Sequence, residues 1–385
     1  MRVCNSLLIS VILSTAFPVL SQTIVKGPYL ILTGKNTEMK VLWQNNISGT
    51  DQIKWGTDLS YSLGSDTSHM YGKYFQHRYT ITGLTPGTKY FYQVKAGSTF
   101  KTGSFLTAPS SGATSVKFLA YGDTRSNPDI HNNIAKLINL TYSSDPDYQT
   151  VLLSMGDLVS AGYIESRWTS EFFNYGFPDL TTMLANMPYE SAAGNHEFFG
   201  SSTLFKKYFP YPYVSNYYFS FDYGPAHIIV LDQYSTSYAA GSPQYNWLVK
   251  DLAASTKPWK FIILHEPGWS AGGVHRNNVT VQTDIEPLCV KYKVPIVFAG
   301  HNHYYARAAV PAADGSKIQH ITTGDAGAPL YTPHPSYPYV VSCKSVPNFC
   351  KINIVNQYVL HFEAISGDGK VIDQFTIDRT AVKSK

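Results

Sequence analysis

Five short blocks along the chain each end an apolar, strand-like run on a side chain that binds metal ions: YGDTR at Asp123, MGDLVS at Asp157, AGNHE at Asn195 and His196, ILHEP at His265, and AGHNH at His301 and His303. That pattern constrains the fold, because in α/β sheets functional groups gather at the carboxyl ends of the strands. The runs VKFLAY, QTVLLSM, AHIIVLD, KFIILH and PIVFAG read as buried, nearly continuous apolar strands, while DIHNNIAKLINLTY and SPQYNWLVKDLAAS between them read as helices. Four of these five runs end in a motif residue; the other ends in Asp232, whose role is read as structural. A single Gly-Asp at a strand end is ordinary turn and helix-capping chemistry. The ordered series from Asp123 to His303 is not: carboxylate, amide and imidazole side chains brought to one sheet edge are expected to serve a two-metal hydrolytic site.

Upstream the rhythm is different. From about Thr23 to Thr107, short β-rich stretches such as TEMKVLWQNN, QHRYTITGL and TKYFYQVKAG alternate with turn residues, as in a small all-β sandwich. The segment LTPGTKYFYQV resembles the end of a fibronectin type III domain, with Leu84 and Pro86 ahead of the strand and Tyr90 or Tyr92 in a tyrosine-corner role. No cluster of His, Asp or Cys falls here, so this part is expected to be scaffold. The small, polar APSSGATS then reads as a linker. A chain of 385 residues has room for two cores. The expected division is a signal peptide over 1–21, the sandwich over 22–108, a linker over 109–115 and a catalytic α/β domain over 116–385.

The signal peptide rests on Arg2, the apolar stretch Leu7–Ala16 and the small or apolar Val19-Leu20-Ser21, which predict export with cleavage near Ser21–Gln22. The stretch is too short for a spanning helix and Pro18 interrupts it, so no membrane span is expected in the mature chain. Of the 4 cysteines, Cys4 leaves with the signal; Cys343 and Cys350 bracket a short loop that favours a local disulfide in an oxidising compartment, and Cys289 reads as a buried free thiol, with a disulfide to Cys289 as the alternative pairing. A net charge of +4 without a long basic run gives no support to nucleic-acid binding. Nothing in the sequence fixes the oligomeric state.

The series Gly-Asp, Gly-Asp, Gly-Asn-His-Glu, His, Gly-His-x-His resembles the calcineurin-like metallophosphoesterase superfamily and, through the preceding sandwich, the purple acid phosphatases. The resemblance runs over nearly all the mature chain and is strongest from Phe118 to Arg307. It implies an αββα sandwich of two mixed sheets flanked by helices. It also implies that Asp123 and His303 hold a first metal, that Asp157 bridges both metals, and that Asn195, His265 and His301 hold the second. Carboxylate, amide and imidazole ligands suit manganese, iron or zinc. Two such ions about 3.5–4 Å apart hold a bridging hydroxide and stabilise the attacking and leaving oxygens of a phosphate ester. The resemblance places His196 near the phosphate, His275 where plant-type members carry a substrate-facing histidine, and Tyr305 and Arg307 as supports around the ligands. The implied substrate is a small-molecule phosphate monoester. A phosphodiester or nucleotide on the same site is the close alternative, and a non-catalytic extracellular binding protein is the rival from another class.

The chain departs from both family patterns at the first metal. Ser160 stands where purple acid phosphatases carry a tyrosine ligand, and Arg125 stands where the wider superfamily often carries a histidine. Three completions remain open: water or a substrate oxygen, a displaced ligand with His131 and Tyr163 as candidates, or a site that holds one ion or none. Arg125 itself is either a phosphate clamp, its planar fork matching phosphate oxygens, or the partner of a carboxylate such as Asp129.

Overall fold

The computed structural model describes residues 21–198, 200 and 203–380, so the expected signal peptide, apart from Ser21, lies outside the described residues. Between Ile24 and Leu106 eight strands form two four-stranded sheets. In Lys89–Ala96 every second residue is buried, the signature of a sheet with one face on a core. The tyrosine corner falls to Tyr90, whose hydroxyl accepts the Thr85 N–H at 3.0 Å. Tyr92 instead donates to the Ala185 carbonyl at 2.8 Å, across to the following domain.

The rest of the chain is built on two facing sheets. The first has six strands: Tyr189–Ser191, Leu152–Ser154 and Val116–Tyr121 run parallel, followed by the antiparallel Asn348–Ile354, Val359–Ser366 and Val371–Asp378. The second has seven, with Ala226–Val230, Trp259–Ile263, Ile296–Ala299 and Lys317–Thr323 parallel at its centre. Aromatic residues fill the space between the sheets: Phe118 meets Phe261 edge-on with centroids 5.3 Å apart, and Phe261, Phe298 and Phe362 continue the stack. Burying each such ring contributes roughly 1.5–3 kcal/mol, so this layer fixes how the two sets of strand ends face each other.

Helices cover the outer faces. Pro128–Ser144 buries His131, Ile134, Ala135 and Ile138 against the first sheet. Pro243–Ala254 is capped by Ser242, whose hydroxyl accepts the Tyr245 N–H at 3.2 Å, and with Glu286–Tyr292 it packs Leu248, Leu252, Leu288 and Cys289 onto Ile229, Ile262 and Val297 of the second.

Two expectations are corrected here. In the sequence, the β-rich stretches KIQHITTG, FCKINIVNQYVLHFEAIS and KVIDQFTID after His303 read as completing the second sheet of the catalytic domain, but of these only the first, as Lys317–Thr323, joins the sheet that carries His265 and His301, beside Tyr305–Pro311 and with Val340–Lys344 at its edge. The last three strands extend the sheet of Asp123 and Asp157, with Cys350 opposite Ala120 and Ile354 opposite Val116. Cys343 and Cys350 are free thiols, not a disulfide. Cys343 lies on an edge strand of the second sheet opposite Ala306, whereas Cys350 is buried in the first between Ala120 and Ala364. Cys289 is a buried free thiol, as expected.

The sandwich leans directly on the first sheet's side of the catalytic domain. Leu32 N–H donates to Glu190 at 2.6 Å, Tyr29 hydroxyl to the Tyr208 carbonyl at 2.7 Å, and Lys26 to Glu165 at 2.8 Å. Glu165 also accepts from Lys207 and Tyr208. Although its partial burial opposes the charge, these donors hold its carboxyl down at about 2.

Candidate metal centre

The strands Val116–Tyr121, Leu152–Ser154, Trp259–Ile263 and Ile296–Ala299 all deliver their carboxyl ends to one place. There the chain turns sharply: Asp123, Asp157 and His301 take φ of 54°, 53° and 65°. Left-handed backbone at a non-glycine residue costs on the order of 1–3 kcal/mol and persists only where the surroundings over-determine it. The neighbouring glycines permit the crowding. A Cβ on Gly194 would lie 2.2 Å from an Asp157 carboxylate oxygen, and one on Gly300 would lie 2.1 Å from Asp123 Oδ2.

Four donor atoms converge on one side. Asn195 Oδ1 lies 3.1 Å from both His265 Nε2 and His301 Nδ1, those two nitrogens are 3.2 Å apart, and His265 Nε2 is 3.4 Å from Asp157 Oδ1. Donors about 2.0–2.1 Å from a common ion sit about 3.4 Å apart in a tetrahedron and about 3.0 Å apart as neighbours in an octahedron. The observed spacings fall in that window. The His265 Nδ1–H donates to the Met155 carbonyl at 2.6 Å, which fixes the tautomer and turns the Nε2 lone pair inward. Burial and the neighbouring histidines hold His301 far below the ordinary imidazole range, and so neutral, as a ligand must be.

The other side is made by Asp123, Asp157 and His303. His303 donates Nδ1–H to the Pro329 carbonyl at 2.7 Å, and its Nε2 stands 3.6 Å from Asp123 Oδ1. Burial and the charge of Asp157 push the Asp123 carboxyl well up. Asp157 is also buried, but His265, His196 and Arg125 hold its carboxyl below the usual range. Donor atoms of Asp123, Asp157 and His265 all lie within 4.8 Å of one another. Two buried carboxylates this close need cationic charge between them, and this donor set fits a pair of divalent ions.

Arg125 is drawn into this side. Its Nε donates to Asp157 Oδ2 at 3.3 Å and its NH2 lies 3.2 Å from His303 Nε2, so its carboxylate partner is Asp157 and not Asp129. His196 donates its backbone N–H to Asp157 Oδ1 at 3.0 Å, and its ring hydrogen-bonds the Ser160 carbonyl at 2.7 Å. The His275 ring stacks on His301 with centroids 3.8 Å apart, and its backbone N–H donates to Asn302 Oδ1 at 3.3 Å.

The candidates for a displaced ligand do not join the cluster. His131 is buried on the far face of the first sheet, 2.8 Å from the Tyr121 hydroxyl, because position 131 falls on the core-facing side of its helix. Tyr163 is exposed and lies against Gly200. Ser160 turns away to Glu171, donating its hydroxyl at 2.6 Å. Tyr305 and Arg307 support the architecture and not the ligands: both bond Asp373, Arg307 through two nitrogens at 2.6 and 3.0 Å, pinning the second sheet to the first. Asp232 is structural as read, accepting the N–H groups of Tyr234 and Ser235.

Several residues here escaped the sequence reading. Glu197 is fully buried and accepts N–H groups from Asp157, Leu158 and Gly194 at 2.9, 2.9 and 2.8 Å, tying two ligand loops together. Its signal was in view as the last letter of the GNHE block. Glu171 likewise joins Ser126 and Ser160, yet nothing near it in sequence marks it. The segment 323–331 passes beneath Asp123, donating Ala328 N–H to its carbonyl at 2.9 Å, and ends at Tyr331, whose ring stacks on His303 at 4.0 Å. On the same segment the buried Asp325 carboxyl has no hydrogen-bond partner among the described residues, although its backbone carbonyl accepts the Asn348 N–H at 2.9 Å, and burial pushes the carboxyl up to about 8.

The calcineurin-like phosphoesterase family matches residues 116–305, and the N-terminal domain of purple acid phosphatases matches residues 25–107. A purple acid phosphatase of Glycine max is 31% identical over 290 residues, which take in 67% of this chain and 61% of that protein. The Fe(3+)-Zn(2+) purple acid phosphatase 12 of Arabidopsis thaliana is 28% identical over 299 residues, 68% of this chain and 62% of that protein. The matches thus span about three fifths of the length of these two relatives. Among solved structures, the purple acid phosphatase PPD1 from yellow lupin (Lupinus luteus) seeds is similar with a TM-score of 0.78 at 20% identity, over 93% of this chain and 74% of that one. PhoD is similar with a TM-score of 0.69 at 13% identity, over 92% of each chain. At these identities the two structures speak to the fold.

Proposed function

The chain belongs to the calcineurin-like metallophosphoesterases and carries the N-terminal domain of purple acid phosphatases, and from that premise we propose that it is an exported, two-metal phosphoesterase that hydrolyses phosphate monoesters. The observation that carries the reading is the convergence of Asp157, Asn195, His265 and His301 donors at 3.1–3.4 Å spacings, with Asp123 and His303 completing a second group around the same Asp157. When bound, two ions would polarise the phosphoryl oxygens and make a water molecule nucleophilic at neutral pH.

The chain's own groups have separable tasks in this reading. Asp157 has one carboxylate oxygen toward each side of the cluster, which suits a bridge. Met155 and Pro329 carbonyls hold His265 and His303 with their Nε2 lone pairs turned inward. His196, oriented by the Ser160 carbonyl, would brace the phosphoryl group or protonate the leaving oxygen. Arg125 lies within reach of both Asp157 and His303 and would offer its fork to a phosphate oxygen, supplying charge where neither family pattern provides its usual extra ligand. His275, stacked on His301, would face the substrate. Residues 1–21 would direct export, and among the described residues no helix is long and apolar enough to cross a membrane.

The test is metal content and aryl phosphate turnover of the wild type and Asp157→Asn after loading with manganese, iron or zinc. The expected result is about two ions per wild-type chain. The variant should lose metal and at least about 10³-fold in kcat/KM. Unchanged turnover in Asp157→Asn would remove the two-metal mechanism. Absence of both metal and turnover in the wild type would favour the binding-protein rival.

A further inference from the structure

Beyond His275 and Tyr331 the wall of the site changes character. It is built from two segments, 268–275 and 329–340, and neither contains an Asp, Glu, Lys or Arg. They are bolted together: His334 N–H donates to the Ala271 carbonyl at 2.8 Å and Trp269 meets Tyr339 edge-on at 4.9 Å, while the Tyr304 hydroxyl, from outside both segments, holds the first by donating to the Gly272 carbonyl at 2.5 Å. Gly272 is required there, since a Cβ on it would lie 2.1 Å from the Tyr337 ring. The wall is attached to the metal cluster at two points. Tyr331 stacks on His303 at 4.0 Å and takes its backbone N–H to the His303 carbonyl at 2.9 Å, while His275 stacks on His301, with 5.7 Å between the His275 and Tyr331 rings.

Tyr337 and Tyr339 remain exposed despite these anchors, as do Leu330 and Val274. Exposed apolar groups on an anchored wall beside a charged cluster suit a ligand with two unlike ends. The anionic phosphate belongs with Arg125 and the metal ligands. Arg125 reaches the Tyr331 hydroxyl at the phosphate end and the exposed Arg276 follows His275, but along the two segments themselves a leaving group meets rings and no Asp, Glu, Lys or Arg, so a second phosphate or a carboxylate lying there would lose hydration without a partner from the wall.

Resting on the phosphoesterase reading above, we propose that this wall selects phosphate esters whose leaving group carries an aromatic ring, with Tyr331 as the specificity-determining side chain nearest the phosphate. An aromatic contact of this kind is worth about a factor of ten in kcat/KM.

The test compares benzyl phosphate with propyl phosphate, whose alkoxide leaving groups are similar in basicity, on the metal-loaded full chain. The wild type should prefer the benzyl ester about tenfold, Tyr331→Phe should keep that ratio and Tyr331→Ala should bring it to about twofold or less. Because Tyr331 touches His303, the alanine variant is read by the ratio of the two esters and not by either rate. Tyr339→Ala, at a position that contacts Trp269 and no residue of the cluster, should lower the ratio as well. Equal turnover of both esters by the wild type overturns the proposal, as does an unchanged ratio in Tyr331→Ala. Turnover of neither ester under any metal loading would sink the phosphoesterase reading itself.

Discussion

Replacing Glu197 with glutamine keeps the side-chain volume but takes one acceptor oxygen from a group that serves three backbone donors. Oε2 accepts from Asp157 N and Gly194 N at 2.9 and 2.8 Å, and Oε1 accepts from Leu158 N at 2.9 Å. Glutamine's single carbonyl oxygen can replace one of these carboxylate oxygens, so its amide NH₂ must face at least one N–H. Burial, then the charge of Asp157, push this carboxyl up to about 8, and the three N–H bonds pull the other way. A buried N–H left without an acceptor costs about 1–3 kcal/mol, and the chain relieves that cost by moving. The pieces free to move are the turn at Asp157 and the turn at Gly194, which together position two donors of the converging four. A displacement of about 1 Å there costs on the order of 10² in rate. Glu197→Gln should therefore fold, bind metal more weakly, and lose about 10²-fold in kcat/KM for aryl phosphate at saturating metal. Metal titration by calorimetry alongside steady-state kinetics reads both effects. A variant with full metal affinity and turnover within about threefold of wild type would refute the claim that this carboxylate positions the bridge.

Two further outcomes can be checked independently. His196→Ala should keep its metal, because the backbone N–H to Asp157 Oδ1 remains, while kcat falls by about 10²–10⁴; metal loss in step with activity would place His196 among the ligands instead. His227 lies far from the centre, between Asp222 and Asp251 at 2.8 Å each; burial opposes its charge, but the two carboxylates raise its pKa to about 9. Its stabilisation should be complete below about pH 6.5 and lost as pH rises through about 9, amounting to about 2–3 kcal/mol given that Asp222 is half exposed. Urea unfolding of wild type and His227→Gln at pH 6 and pH 9.5 measures this, and parallel stability differences at the two pH values would count against it.

The strands that end in the motif residues were legible because their apolar runs are continuous and each stops abruptly on a polar side chain. The helices between them were legible for a related reason, since Ile134, Ala135 and Ile138 repeat at helical spacing on one buried face. The fate of the C-terminal strands was not. Alternation in KINIV or VLHFEA says that one face is buried, but it does not say which of two sheets offers a free edge, and Val116–Tyr121 offered it. His131 misled for a similar reason. Its spacing from Asp123 suggested a ligand, while its position in the helical period put it on the opposite face of the sheet, against Tyr121.

The departures at the first metal make sense together when the supporting carboxylate is included. Ser160 gives its hydroxyl and its N–H to Glu171, and Glu171 also takes the N–H of Ser126, the residue after Arg125. One buried carboxylate thus sets the path of both turns from which the family patterns would supply an extra ligand. The Ser160 carbonyl that results from this path is the acceptor that orients His196. On the other turn, the same path leaves Arg125 beside Asp157 and His303. A tyrosine at 160 that reached for a metal would take away the hydroxyl bond to the buried Glu171 carboxylate, at a cost of about 1–3 kcal/mol, while the backbone N–H bond does not depend on the side chain. An arginine that brings its own positive charge to the carboxylate pair leaves this wiring intact.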